Sequence, residues 1–296
     1  MTPQPVEKVF NRLFLYLDND PPEPYFVWIH LNPPHDPYLP GEPYIGMFNS
    51  SPDMRTQNQQ YAITRNEDLP EDIPDEMKPK IDILRDRYNE FIKYCDDNFK
   101  NFIDQLQNKI NLDNTLIMLS ADHGESFEHD YITHGGHHLY EQVTHIPLII
   151  KEPGQTSGNI IDEPVEQIDI AATILDLVNM SAPSSMEGRS LVPIIRGEKY
   201  LPRPVFSMSL YRNTLSKNEI NKGTIAVREG DYKLIHYIVD NKSLLFNLKQ
   251  DPDELDNLFD KEPEISHRLM TTIQEELRLA NARIRREFNE NNTPPK

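Results

Sequence analysis

Apolar and polar positions follow three different rhythms along the 296 residues, and each rhythm predicts a different kind of element. Residues 115–121, Thr-Leu-Ile-Met-Leu-Ser-Ala, are apolar on both faces, as a central strand of a parallel sheet must be. Similar short runs at 25–31 and 146–151 predict two more strands. Within 81–110, Leu84, Tyr88, Phe91, Cys95, Phe99, Phe102 and Leu106 recur at steps of three and four, which is one helix face. A further helix is predicted over 167–179. Strand, helix, strand in this order builds a parallel sheet with its crossover helix packed on one face.

From residue 203 the rhythm changes. Near alternation over 205–210, 224–229, 232–237 and 244–248, broken by Asn, Gly and Asp turns, predicts a small antiparallel sheet. Ile265, Leu269, Ile273, Leu277 and Leu279 predict a last helix over 264–286, before a tail at 289–296 expected to be disordered. The proline-rich stretch 33–66 reads as loop. The expected organisation is an α/β core over 1–202 and a small α+β subdomain over 203–296, with no internal repeat.

The apolar run 115–121 ends at Asp122-His123-Gly124-Glu125. Open α/β sheets bind ligands at the carboxyl ends of their strands. A carboxylate beside an imidazole suits a divalent cation, and Gly124 is expected to let the backbone turn sharply so that both side chains face one place. Such a triplet alone could be a helix cap or a surface loop. Five of the ten histidines, however, lie between this strand and the next: His123, His129, His134, His137 and His138. That density favours a chemical role for the loop. His129 lies among acidic residues and reads as surface, while His145 opens a strand and could as easily stack in its wall as touch a ligand.

These motifs, in this order, resemble the sulfatase family of the alkaline phosphatase superfamily. The likeness runs from near Tyr25 to near Leu258. Residues 26–38 (FVWIHLNPPHDPY) look like the family's strand ending in a Pro-His-x-Pro-Tyr loop. Residues 165–177 (VEQIDIAATILDL) and 187–193 (EGRSLVP) look like the helix and Gly-x-Ser-Leu segment that follow the metal-site loop. Asp231-Tyr232-Lys233-Leu234-Ile235, Asp251-Pro252-Asp253-Glu254 and Asn257-Leu258 resemble its small C-terminal sheet.

The resemblance implies an alkaline-phosphatase-like sandwich with a mostly parallel central sheet, incomplete at its N-terminal side, plus the C-terminal antiparallel sheet with a helix. It also implies a metal-dependent sulfuric ester hydrolase acting on a small-molecule or saccharide sulfate ester. Asp122 and His123 would supply part of the shell of a divalent metal, Ca2+ before Mn2+, Zn2+ or Mg2+. His35 and His134 would handle charge and proton transfer on the substrate side, with His137 and His138 as further substrate-binding candidates. Glu125 and Arg189 are expected to be structural.

One family feature is missing. The nucleophile of these enzymes is a formylglycine made from Cys or Ser in a Cys/Ser-x-Pro/Ala-x-Arg motif, and no such motif occurs here. Cys95 is followed by Asp96-Asp97-Asn98 and falls on the apolar helix stripe, which makes it a small buried hydrophobe. The preferred reading is therefore a fragment of a formylglycine sulfatase, with the nucleophile on an upstream segment. A phosphodiesterase, phosphonate hydrolase or phosphoglycerol transferase of the same superfamily is the second reading. The third is a non-catalytic binder of sulfated ligands.

Composition narrows the partners. Lys and Arg number 30 against 48 Asp and Glu, a net charge of −18, which argues against a nucleic-acid partner. No apolar run approaches the roughly 20 residues of a membrane helix. One cysteine rules out an internal disulfide, and Met-Thr-Pro-Gln-Pro at the start has neither the basic nor the apolar stretch of a secretory signal. No compartment is assigned.

Overall fold

The structure is a computed structural model that describes residues 5–65, 73–129, 131–134, 138–210, 213 and 219–291. The chain forms two compact units. The first takes residues up to 121, 125–133 and 147–156; the second takes Asp122–Gly124, His134–Ile146 and the chain from Ser157 onward.

The first unit is built on two helices, α1 (Val6–Leu17) and α3 (Lys78–Leu106), with α2 (Gln57–Thr64) between them in sequence. Helix α1 went unread in the sequence, although Val6, Phe10 and Phe14, all buried, repeat at every fourth position. Its apolar face meets α3, where Phe10 stacks on Phe102 at 4.2 Å and the Tyr94 hydroxyl donates to Glu7 at 2.6 Å. Helix α3 follows the predicted stripe, with Leu84, Phe91, Phe102 and Leu106 buried and Cys95 packed beside them. Each such side chain contributes about 1.5–3 kcal/mol on burial, more than the few tenths by which helix propensities differ. Burial pushes the Cys95 thiol up to about 12, with Glu7 adding to it. The cysteine is inert packing.

The proline-rich stretch is irregular but tied down, and it contains a helix that the loop reading lacked. Thr56 and Gln59 close a reciprocal capping box at the start of α2. Gln60, fully buried, accepts from Tyr38 N–H at 2.6 Å and donates to the carbonyls of Tyr38 and Met54. Arg87 and Glu90, both fully buried on α3, pair at 2.9 Å and bind the backbone of Gly46, Phe48, Asn49, Ser51 and Asp53. Side chains thus satisfy backbone groups that no strand ladder reaches.

Strand β1 (Ile117–Ser120) forms as expected, but its partner runs the other way. It pairs antiparallel with β4 (Leu148–Lys151), Ile117 opposite Lys151 and Ser120 opposite Leu148, and among the described residues neither has a second neighbour. The parallel pairing expected of this run is therefore corrected. Between β1 and β4 the chain passes through a hairpin, β2 (Ser126–Glu128) with β3 (Tyr131–Thr133), and one short helix, α4 (Glu141–Thr144), with no crossover helix to carry it back. Residues 25–31 form no strand. They lack a ladder partner, so Phe26 and Trp28 stay 71% and 73% exposed while Ile29 and Leu31 pack on the core.

The second unit holds α5 (Asp169–Leu177), α6 (Val192–Ile195), the strands β5 (Val205–Ser209), β6 (Thr224–Glu229), β7 (Tyr232–Tyr237) and β8 (Lys242–Asn247), and α7 (Pro263–Asn291). The four strands form an antiparallel meander close to the predicted boundaries. Alternation along them separates two faces. Val227, Leu234 and Leu245 pack with Leu269 and Ile273 of α7; Ala226, Ile235 and Phe246 pack with Leu139 and Tyr140. Helix α7 runs to Asn291, past the expected start of the tail at 289; residues 292–296 lie outside the described residues. No described helix is long and apolar enough to cross a membrane.

Near α5, Gly188 lies so close to the Ile168 carbonyl that a Cβ would come within 2.0 Å of its oxygen. That contact lets Arg189 N–H reach the buried Asp169 carboxylate at 2.8 Å and Leu191 N–H reach Thr173 at 2.9 Å. The Arg189 guanidinium lies 3.9 Å over the Tyr200 ring and donates to the Leu201 carbonyl.

Candidate functional site

Asp122, His123 and His134 come together in the second unit. The turn is fixed by Gly124, whose N–H donates to the Val143 carbonyl at 2.8 Å. A Cβ on Gly124 would stand 2.1 Å from the Gln142 carbonyl oxygen. The sequence suggested glycine here for a sharp turn; the structure adds that α4 approaches it too closely for a side chain, with no positive φ at this residue.

His123 Nδ1 lies 2.9 Å from the Gly124 carbonyl. A carbonyl only accepts, so Nδ1 carries the proton and the neutral ring keeps its lone pair on Nε2. That nitrogen is 3.8 Å from Asp122 Oδ2, while Asp122 Oδ1 accepts from His123 N–H at 3.1 Å. The Asp122 side chain is 70% exposed, so its oxygens stay accessible. The His134 ring stacks on His123 at 4.1 Å with 27° between planes. Just before it, Thr133 has φ 81°, a costly conformation for a β-branched residue.

His35 belongs to the first unit. Its Nδ1 sits 2.8 Å from the Asp36 carbonyl and 2.9 Å from Asp36 Oδ1, and the buried Asp36 is held in turn by Arg65 at 2.9 Å. The ring is locked by this pair, and its Nδ1 must be the donor. His138 is drawn into the C-terminal sheet, with Nδ1 3.0 Å from the Tyr237 hydroxyl and its ring stacked on Tyr140. His137 lies outside the described residues. His145 is exposed and 3.8 Å from Glu141. Among the described residues no group of three His, Cys, Asp or Glu side chains is placed to hold a metal, so the candidate donor set is Asp122 and His123.

Two groupings around the loop escaped the sequence reading. In the first unit, burial and then the Glu125 carboxylate raise Tyr38, Tyr131 and Tyr88, the last to about 12, so this carboxylate sits in a nest of protonated tyrosines. In the second unit, Glu141 on α4 meets Lys233 of β7 at 2.8 Å and Arg228 of β6 at 3.4 Å. Burial opposes ionisation of Glu141, but Lys233, Arg228 and His145 outweigh it and hold the carboxyl below the usual range. Glu254, against the same lysine, is raised because burial dominates. Only the acidic and basic residue types were legible, since their partners are 92 and 113 positions away.

The fold and the loop place the molecule in the alkaline-phosphatase-like class. A phosphonate monoester hydrolase from Silicibacter pomeroyi superposes with a TM-score of 0.71 at 23% identity, over 92% of this chain and 59% of that one. The family model described as Sulfatase matches residues 4–180, and the one described as N-sulphoglucosamine sulphohydrolase, C-terminal, matches 128–283. The chain belongs to the sulfatase family. Arylsulfatase K of Homo sapiens is 32% identical over 168 residues, which is 53% of this chain and 30% of that protein. An N-acetylglucosamine-6-O-sulfatase of Bacteroides thetaiotaomicron is 29% identical over 170 residues, 56% of this chain and 30% of the relative. The chain thus spans about a third of the length of these curated relatives.

Proposed function

We propose that this chain is the metal-loop and C-terminal portion of a sulfuric ester hydrolase acting on small-molecule or saccharide sulfate esters. The observation that carries the reading is the joining of Asp122, His123 and the His134 ring at one exposed turn. The names of the relatives support the substrate class: one is an arylsulfatase and one a sulfatase of an amino sugar.

The donor set fits a divalent cation, since an accessible carboxylate oxygen and a lone pair on Nε2 stand side by side with the other ring nitrogen pinned by a carbonyl. Ca2+ is the first candidate, with Mn2+, Zn2+ and Mg2+ as alternatives. A bound cation would polarise the sulfate oxygens and stabilise charge there. Two ligands are too few for an ion that takes about six to eight oxygens, so the remaining donors, like the formylglycine nucleophile, are assigned to a segment outside this sequence. His134, beside His123, is the proton donor to the departing oxygen. His35, whose Nδ1 is held by Asp36 within the first unit, could donate to an anionic oxygen from Nε2 only as the imidazolium.

The test has two arms. The 296-residue chain alone is expected to leave a chromogenic aryl sulfate unhydrolysed, because none of its residues can become formylglycine. Joined to a segment carrying the nucleophile motif, Asp122→Ala should lose metal and turnover together. His134→Ala should keep its metal and lose turnover by about 10²–10⁴-fold, the usual worth of a general acid. Full activity and metal content in both variants would refute the reading. Turnover of phosphonate monoesters in place of sulfate esters would move the chain to the phosphonate hydrolase branch, whose fold it shares. Binding of sulfated sugars with no turnover in the joined protein would make it a non-catalytic binder.

A further inference from the structure

We infer that Lys233 and Glu254 are positioning residues for the Asp122–His123 pair, acting on it through Glu141 and helix α4. The inference rests on reading that pair as the site, and every group in it belongs to the second unit.

Lys233 projects from β7 on the same face as Ile235 and Tyr237, toward the segment that carries Leu139 and Tyr140. It is buried, and its ammonium stands 2.8 Å from Glu141 Oε1, 3.0 Å from Glu254 Oε1 and 3.2 Å from Thr144 Oγ1. The ammonium donates to Glu141 and Thr144, both on α4, and forms an ion pair with Glu254. Glu254 Oε2 accepts from Glu141 N–H at 2.5 Å, at the first residue of that helix. One more bond leads on to the site, from Gly124 N–H to the Val143 carbonyl at 2.8 Å.

Stability alone does not explain this network. A buried ion pair costs so much desolvation that well-packed apolar side chains are often as good or better, and the neighbouring positions on this face are apolar. Glu254 also has φ 55°, where glycine or asparagine would be less strained. A glutamate kept in that conformation is there for its carboxylate. The network also does what apolar packing cannot: it fixes rotation and register of a helix of only four residues, too short to hold itself. Since Gly124 touches the α4 backbone with no space for a methyl group, a shift of α4 displaces the turn bearing Asp122 and His123.

The test is residue-resolved amide hydrogen exchange on the full chain, read without metal or substrate, so that its failure is separate from failure of the functional reading. Lys233→Met should speed exchange at Gly124 at least tenfold while Ile225, Leu234 and Leu245 in the sheet keep their protection. Glu254→Gln retains an acceptor for Glu141 N–H and should give a smaller acceleration confined to the same amides. Lys249→Met, at an exposed lysine 4.0 Å from Asp231, should change nothing at Gly124. Unchanged exchange at Gly124 in both network variants would overturn the inference. So would equal loss of protection at Gly124 and across the sheet in Glu254→Gln, because the network would then merely hold the sheet. If Lys233→Met does not fold, Glu254→Gln alone decides.

Discussion

At Gly124 a single hydrogen atom in place of a side chain determines where the candidate ligands stand. Gly124→Ala would drive a methyl group into the Gln142 carbonyl, a backbone atom that cannot rotate away. The expected cost is about 1–3 kcal/mol, as for other overpacked sites, measurable as a lower denaturant midpoint with faster exchange around α4. An unchanged midpoint would mean that the turn is looser than its geometry indicates. His236 offers a second residue-scale prediction. Burial lowers its pKa below the ordinary 6.5, against a raising backbone contact from Lys242, and its Nδ1 lies 3.0 Å from the Ser243 hydroxyl. Below 6.5 the unfolded chain takes up a proton that the folded ring resists, so this contribution is complete above that pH and is lost as pH falls through it toward the folded value. His236→Gln should therefore flatten the fall in thermal midpoint as pH drops below 6.5. Parallel curves for the two proteins would remove His236 from the account.

Among the elements, the loop containing His35 depends on a helix that contributes nothing to its sequence pattern. Arg87 and Glu90 of α3 cradle the backbone of residues 46–53 from full burial. Arg87→Leu would leave Glu90 as an uncompensated buried charge, a loss of about 3–5 kcal/mol. Adding Glu90→Leu should recover much of it, although the loop's carbonyls and amides then lose their partners. Urea unfolding followed by circular dichroism decides the point: a single variant no weaker than the double one would show that the pair is not the clamp. The elements also show the limits of pattern. Strands β5–β8 and helix α3 were legible because each carries its own period and buries one face or stripe. Residues 25–31 have strand composition but no ladder, and β1 has a ladder of the opposite sense to the one its apolar run suggested. A run's composition states how much surface must be buried, and says nothing of which chain will bury it.

For the whole molecule, the consequence is exposed apolar surface in the first unit. Phe26, Trp28 and Ile149 are 60–73% exposed, and Phe99, Ile103, Leu112, Ile117 and Leu119 line an open groove together with Ile149. Strands β1 and β4 each have one paired edge among the described residues, and unpaired edges beside apolar surface are templates for association. The chain alone is expected to elute from size-exclusion columns in concentration-dependent, oversized species, with proteases cutting the first unit sooner than the β5–β8 sheet. A monodisperse monomer with both units equally resistant would show that this surface is harmless.

The residues themselves determined the chemical types: an acidic residue and histidines after an apolar run, an absent nucleophile motif, a cysteine on a helix stripe, and the alternation that makes the C-terminal sheet. These follow from local composition and period, which a chain carries without reference to distant parts. The tertiary structure decided which of them meet. It stacked His134 on His123, drew His138 to Tyr237, and set Lys233 and Glu254 against the helix that touches Gly124. Those contacts join residues from 11 to 113 positions apart, a pairing set by the packing of side chains across space and by the cost of leaving a buried charge or a backbone amide unmatched.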